Sequence, residues 1–246
     1  MPDPTTTFIA IAAEARFRFG CTPQVPCFNE CCRNLNQALT PYDVLRLKNH
    51  LQMPASRFLA DLTHRHVGPD SGLPVVTLRP ADPVTRTCPF VTHSGCRVYP
   101  DRPASCRSYP IARAVTRCRE TGRLTEHFAL LREPHCRGFE QPSEQSVAQW
   151  VASQDLQGYN RMNDRLLEII SLKNRHIPGP LDLKSQTAFF TALYDLDHFR
   201  HRVFEERAIR LAAEEKTIAA ARNDDTALLV LAMNWVKAVL FDGPAG

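Results

Sequence analysis

Cys21-Thr22-Pro23-Gln24-Val25-Pro26-Cys27-Phe28-Asn29-Glu30-Cys31-Cys32 carries four thiols in twelve residues, spaced C-x5-C-x3-C-C. Pro23 and Pro26 exclude a regular helix here, because proline lacks the N–H and clashes with the preceding turn. The stretch therefore reads as a loop, and one loop can bring several thiols to one point at little closure cost. Cys88, Cys96, Cys106 and Cys136 follow in later segments, with Cys118 as the ninth cysteine. Four thiolates in a tetrahedral array suit zinc, and four also hold a 4Fe–4S cluster. Cys21, Cys27, Cys31, Cys32, Cys88, Cys96, Cys106 and Cys136 are expected to gather around such a centre. Adjacent Cys31 and Cys32 are expected to point apart. Eight cysteines allow two four-thiolate sites or one four-cysteine cluster with other thiols packed nearby, and the second arrangement is preferred.

At 246 residues the chain can bury a normal core without disulfides. Nine cysteines is high for an intracellular protein, far below a secreted disulfide scaffold, and odd in number. The N-terminus has no basic n-region, and the apolar run Phe8 to Ala13 is too short for a signal peptide. The longest apolar stretch, Ala227 to Phe241, is broken by Asn234 and Lys237 and falls short of the ~20 residues that span a bilayer. The expectation is a cytoplasmic protein with free thiols and no membrane span. Clustered free thiols in a reducing compartment point to metal ligation or redox chemistry, with disulfides as the rival.

Charge is uneven. Residues 79–137 hold 11 basic side chains, all Arg, against 5 acidic ones, whereas the whole chain carries only +4. A nucleic-acid face is one explanation. The preferred one is local: cations near thiols lower their pKa and offset thiolate charge around a metal.

Along the chain, residues 8–19 read as an extended approach to Cys21. Thr40-Pro41-Tyr42-Asp43 is a helix start, with Thr40 as N-cap, Pro41 in the first helical position and Asp43 completing a capping box; the helix is expected to run to about Leu51. A second helix begins near Pro54. A short strand is expected at Leu73 to Leu78, and a short helix carrying Cys106 after Pro103. A hairpin is expected from Ile111 to Leu131, turning at Glu120-Thr121-Gly122. Cys118 lies beside that tip and is left out of the cluster. Helices are then expected over about Ser143 to Gln157 and Gly158 to Leu172. Phe189, Leu193, Leu196, Phe199 and Val203 recur at helical spacing, and a last helix buries Leu228, Leu231, Trp235 and Val239.

Other chemistries find little support. There is no G-x-G pair, no H-E-x-x-H and no G-x-S-x-G. His64 and His66 read as surface residues, while His93 and His135 are better placed for contacts to ligating cysteines. Arg107 is a candidate donor to a cluster sulfur or to an anionic substrate, beside Arg102. Tyr99 and Tyr109 read as core aromatics with satisfied hydroxyls. Glu205-Glu206 and Glu214-Glu215 read as a solvated helix face. No catalytic residue stands out.

Cys27-Phe28-Asn29-Glu30-Cys31-Cys32, Leu39-Thr40-Pro41-Tyr42-Asp43-Val44, Cys88-Pro89-Phe90, Gly95-Cys96-Arg97-Val98-Tyr99, Arg102-Pro103, Cys106-Arg107 and Tyr109-Pro110 together resemble the YkgJ-like cysteine-cluster family. The resemblance covers about residues 15–140, with both spacers of the family's C-x2-C-x2-C-C motif lengthened here. It implies a zinc- or iron-chelating domain. Flagellin lysine N-methylases look like relatives with an iron–sulfur cluster, so methyl transfer from S-adenosylmethionine is implied by analogy alone.

The expected fold is α+β, predominantly α-helical with a small β-hairpin. A cysteine-cluster lobe is expected over 1–140 and a helical lobe over 141–246. The leading expectation is an iron–sulfur (4Fe–4S) protein with a redox or cluster-dependent enzymatic role. Its alternatives are a zinc-stapled protein- or nucleic-acid-binding module, with nucleic acid not favoured, and a lysine N-methyltransferase.

Overall fold

The computed structural model describes residues 6–118 and 120–242. β1 (Thr7–Ile11) and β2 (Arg16–Arg18) lead into the first cysteine loop, which closes in a 3-10 turn at Glu30–Cys32. β3 (Ala38–Leu39), α1 (Pro41–His50), α2 (Ala55–Leu62), β4 (Thr63–Val67) and β5 (Pro74–Leu78) follow. β6 (Val91–Thr92) and β7 (Gly95–Cys96) form a small hairpin. A 3-10 turn at Tyr99–Asp101 and α3 (Ala104–Ser108) precede the long hairpin of β8 (Ile111–Arg117) and β9 (Leu124–Arg132). β10 (Glu144–Ser146) and α4 (Val147–Ser153) come before the longest helix, α5 (Leu156–His176). α6 (Leu183–Leu193), α7 (Leu196–Phe204), α8 (Glu215–Ala221), α9 (Asp225–Lys237) and a π-helical turn at Ala238–Asp242 end the described chain.

The fold is mixed α and β. Helix makes up 44%, short of the majority expected. The difference lies in short strands: the described residues form antiparallel sheets ordered β1-β9-β8, β10-β2, β3-β5-β4 and β6-β7, where the sequence suggested a hairpin and isolated extended runs. No helix among the described residues is long and apolar enough to cross a membrane. The chain divides into two compact units, each of two segments: Met1–Leu35 with Ala81–Asn160, and Asn36–Pro80 with Arg161–Gly246.

In the first unit β9 is central, pairing with β1 from Thr7↔Arg132 to Ile11↔Phe128 and with β8 from Ile111↔Leu130 to Arg117↔Leu124. β2 alternates, burying Phe17 and exposing Arg16 and Arg18, and pairs with β10. Phe17, Phe19, Ile111, Leu130 and Val147 form the core, with Tyr109, Cys136, Phe139 and Trp150 packed on it. Phe19 meets Tyr109, Phe139 and Trp150 edge-on at centroid distances of 5.8, 5.3 and 5.6 Å. Burying one such phenylalanine is worth roughly 1.5–3 kcal/mol. The backbone passes so close to the Phe19 ring at Gly138 that a Cβ there would overlap it.

The helix expected over Ser143 to Gln157 is shorter and broken. Glu144–Ser146 pairs as a strand, Ser146 opens α4 through a capping box with Gln149, and Asp155, at φ 50°, separates α4 from α5.

In the second unit the capping box at Thr40 and Asp43 forms as the sequence indicates, and α1 buries Val44, Leu45 and Leu47. The Lys48 ammonium, 7% exposed, meets Asp197 at 2.9 Å and Asp225 at 3.5 Å. Asp197 also accepts the Ala55 N–H, and Arg200 pairs with Asp225. The apolar run from Phe189 to Val203 is two helices, because Asp195 caps α7 by accepting the His198 N–H. α9 buries Leu228, Leu229, Leu231, Ala232, Met233 and Val236. Trp235 is half-buried, with its ring 5.4 Å from that of Phe199. His64 and His66 lie exposed on β4, and Glu205, Glu206, Glu214 and Glu215 are likewise exposed.

Candidate metal centre

All nine cysteines are free thiols, and all belong to segments of the first unit. The first cysteine loop is shaped by Asn29, at φ 70°, in the left-handed region that asparagine tolerates better than most residues. The Asn29 side chain donates to the Thr92 carbonyl at 2.9 Å, tying the loop to the β6–β7 hairpin. The Cys88 N–H donates to the Cys32 carbonyl at 2.8 Å, which sets the second cysteine segment against the first. The third connection runs to sulfur directly: the Arg137 N–H donates to Cys27 Sγ at 3.1 Å.

Other backbone N–H groups are also directed at sulfur. Phe90 and Val91 place theirs beside the Cys88 sulfur, the Val91 N–H also donating to the Cys88 carbonyl at 3.3 Å, while Val98 places its own beside Cys96 and Gly138 beside Cys136. Each comes from two or three residues downstream, where the chain turns back over its own thiol. Such donors favour the thiolate, the form that binds metal.

The thiols sit close enough to oppose one another's ionisation. Burial pushes Cys21 up to about 11, helped by Cys31, Cys27 and Cys136, with the Arg102 guanidinium opposing. Cys31 is raised by its contact with the Cys32 thiol, by burial and, less strongly, by the Glu133 carboxylate. The expectation that Cys31 and Cys32 point apart therefore fails: the 3-10 turn at Glu30–Cys32 brings the two sulfurs together. Cys88, Cys96 and Cys136 are raised chiefly by burial, and neighbouring thiols add to it: Cys96 and Cys31 at Cys88, Cys31 at Cys96, and Cys27 at Cys136. Burial and the cost of placing thiolates side by side favour the neutral form of these raised thiols, and a bound dication would offset both as it displaced the protons.

Cys106 lies exposed on α3, where its thiol is an electrostatic neighbour of Arg102. Cys118 lies outside the group, exposed beside the hairpin turn and donating to Glu120 Oε2 at 3.0 Å.

The arginine expected to serve the thiols was Arg107. It is buried, but it donates to the Gln154 and Pro100 carbonyls and stacks on Tyr159 at 4.6 Å. Arg102 stands among the thiols, held by the Tyr99 carbonyl and the Gln154 side chain, and Arg97 is a second cationic neighbour of Cys96. Tyr99 is 55% exposed with Arg102 over its ring, so it is not a core aromatic. Tyr109 packs on the core, yet its buried hydroxyl, beside Cys136 and Glu133, lacks a well-formed hydrogen bond. His93 is exposed in the β6–β7 turn, and His135 is exposed with Nε2 at 3.8 Å from Glu133. Glu133 went unnoticed in the sequence, where nothing distinguishes it from any other strand-end carboxylate. Asn29 had a signal: asparagine in a cysteine loop is a candidate for a left-handed turn.

Among the described residues no three His, Cys, Asp or Glu side chains stand in a geometry that holds a metal ion as placed. The donor chemistry nevertheless fits a soft or borderline metal, with thiols, sulfur-directed N–H groups and a buried hydroxyl short of a well-formed bond in one unit. This is the donor set of a cysteine-rich chelating domain carried on a mixed α/β frame. Residues 20–137 match the model of the CxxCxxCC family, described as "Putative zinc- or iron-chelating domain". The match contains every cysteine discussed above. No curated protein and no solved structure matches the chain.

Proposed function

We propose that the first unit binds an iron–sulfur cluster of the 4Fe–4S type through its cysteines, drawing ligands from Cys21, Cys27, Cys31, Cys32, Cys88, Cys96, Cys106 and Cys136. The observation that carries this reading is the set of backbone N–H groups directed at Cys27, Cys88, Cys96 and Cys136, sulfurs from separate segments. Hydrogen bonds to ligating sulfur orient the ligand and tune the metal, and four thiolates satisfy a cubane. A bound cluster supplies one-electron chemistry, which gives the protein a redox or cluster-dependent enzymatic role. Zinc in the same thiols is the second reading, favoured by the close Cys31–Cys32 pair with Cys88 and Cys96 as electrostatic neighbours of Cys31.

A nucleic-acid role draws little support, because several guanidiniums of the Arg-rich stretch are engaged locally. Arg102 and Arg107 bond to backbone carbonyls, Arg113 and Arg137 pair with Glu126 and Glu140, and Arg132 covers the Phe139 ring. Anaerobic purification with iron, zinc and sulfide analysis and a visible spectrum tests the proposal. A brown protein with matching iron and sulfide is expected, and a colourless protein holding only zinc would overturn the cluster in favour of the second reading. Methyl transfer is tested separately by calorimetry with S-adenosylmethionine on the metal-loaded chain.

A further inference from the structure

Tyr109 follows α3 and precedes β8, with its ring packed edge-on against Phe19. Its hydroxyl is buried within reach of Cys136 and Glu133, with neither placed for a well-formed hydrogen bond. Buried hydroxyls are almost always satisfied, so one left short of a well-formed bond beside a thiol calls for a partner, and Cys136 is at hand. A neutral thiol is a weak acceptor, whereas a thiolate held by a metal offers a charge-assisted bond. Cys136 is half-buried against the same core and already faces the Gly138 N–H, so a second donor would complete its surroundings.

We infer that Tyr109 is a positioning residue of the centre, its hydroxyl donating to Cys136 Sγ once that sulfur is a metal-bound thiolate. The inference rests on the proposed metal binding and adds a residue that holds no metal itself. Glu133 is the competing acceptor. Donation there would make the hydroxyl a structural group indifferent to metal.

Tyr109→Phe keeps the ring and removes only the oxygen, so the core packing is retained. The chain is compared with this variant in its metal-loaded form and after chelation under reducing conditions. Three quantities are read: melting temperature, metal affinity by competition with a chromophoric chelator, and thiolate-to-metal charge-transfer bands, using iron as isolated or cobalt in place of zinc. The variant is expected to keep its metal stoichiometry, to bind about fivefold more weakly, the factor worth one ordinary hydrogen bond, and to shift the bands. Its metal-free form should melt at or above the parent, because the poorly bonded hydroxyl is gone. An unchanged affinity and spectrum, with the same melting shift in both states, would overturn the inference while leaving metal binding intact. If the metal-free chain does not melt cooperatively, affinity and bands decide. A parent chain that binds neither iron nor zinc would instead remove the proposed function itself.

Discussion

Cys88 and Cys118 show how different the surroundings of one residue type can be. Cys88 is half-buried, faces the Phe90 and Val91 N–H groups, and has Cys96 and Cys31 for neighbours. Cys118 is exposed on a turn, with a carboxylate as its partner. Cys88→Ser is therefore expected to lose most of the bound metal and Cys118→Ser to keep all of it, measured as metal per chain after gel filtration. Equal content in the two variants would break the assignment. The thiols were legible in the sequence because sulfur chemistry belongs to the side chain itself. What surrounds them was not. Arg102 replaced Arg107 as the neighbouring cation because Gln154, far along the chain, supplies both a side-chain acceptor for Arg102 and a backbone carbonyl for Arg107. The roles of Glu133 and Tyr109 likewise depend on neighbours that no local pattern encodes.

Among the elements, those set by neighbouring residues could be read and those set by pairing could not. The start of α1 is local: Thr40 accepts the Asp43 N–H, and the Asp43 carboxylate accepts the Thr40 N–H at 2.8 Å. Thr40→Ala should cost about 1 kcal/mol of stability, checked by urea denaturation of the full chain with and without metal. No effect on metal content is expected, because α1 belongs to the second unit. The β8–β9 hairpin was legible for the same reason, with its turn residues lying between two apolar runs. β4 buries only Thr63 and is a strand because β5 runs beside it, from Thr63↔Leu78 to Val67↔Pro74. β10 pairs with β2 across more than a hundred residues, and in sequence it is indistinguishable from the first turn of a helix. β6 and β7 have two residues each, too few for any period to show.

At the scale of the whole molecule, the two units respond to different chemistry. Under the proposed function the first answers to metal, while the second answers to acid through the ion pairs that join α1, α7 and α9. Removing one partner from a buried pair leaves an uncompensated charge and is costlier than exchanging both for apolar groups. Burial acts to raise the Asp225 carboxyl, but the Asn49 side chain, Lys48 and Arg200 together outweigh it and hold the group below its ordinary value of 3.8. A carboxyl depressed in the folded state adds stability that is complete above the unfolded pKa and is lost as pH falls through the lower folded one. Asp195, raised by burial, acts in the opposite sense and masks part of the loss. The informative comparison is therefore with Asp225→Asn, which removes the titrating group and leaves Asp195 in place. In urea melts of the metal-free, reduced chain, the parent should be the more stable protein at pH 6, and its advantage should shrink as the pH is lowered from 5 to 3. A difference that stays constant across that window would mean that Asp225 contributes packing alone, and that the acid response of the second unit arises elsewhere.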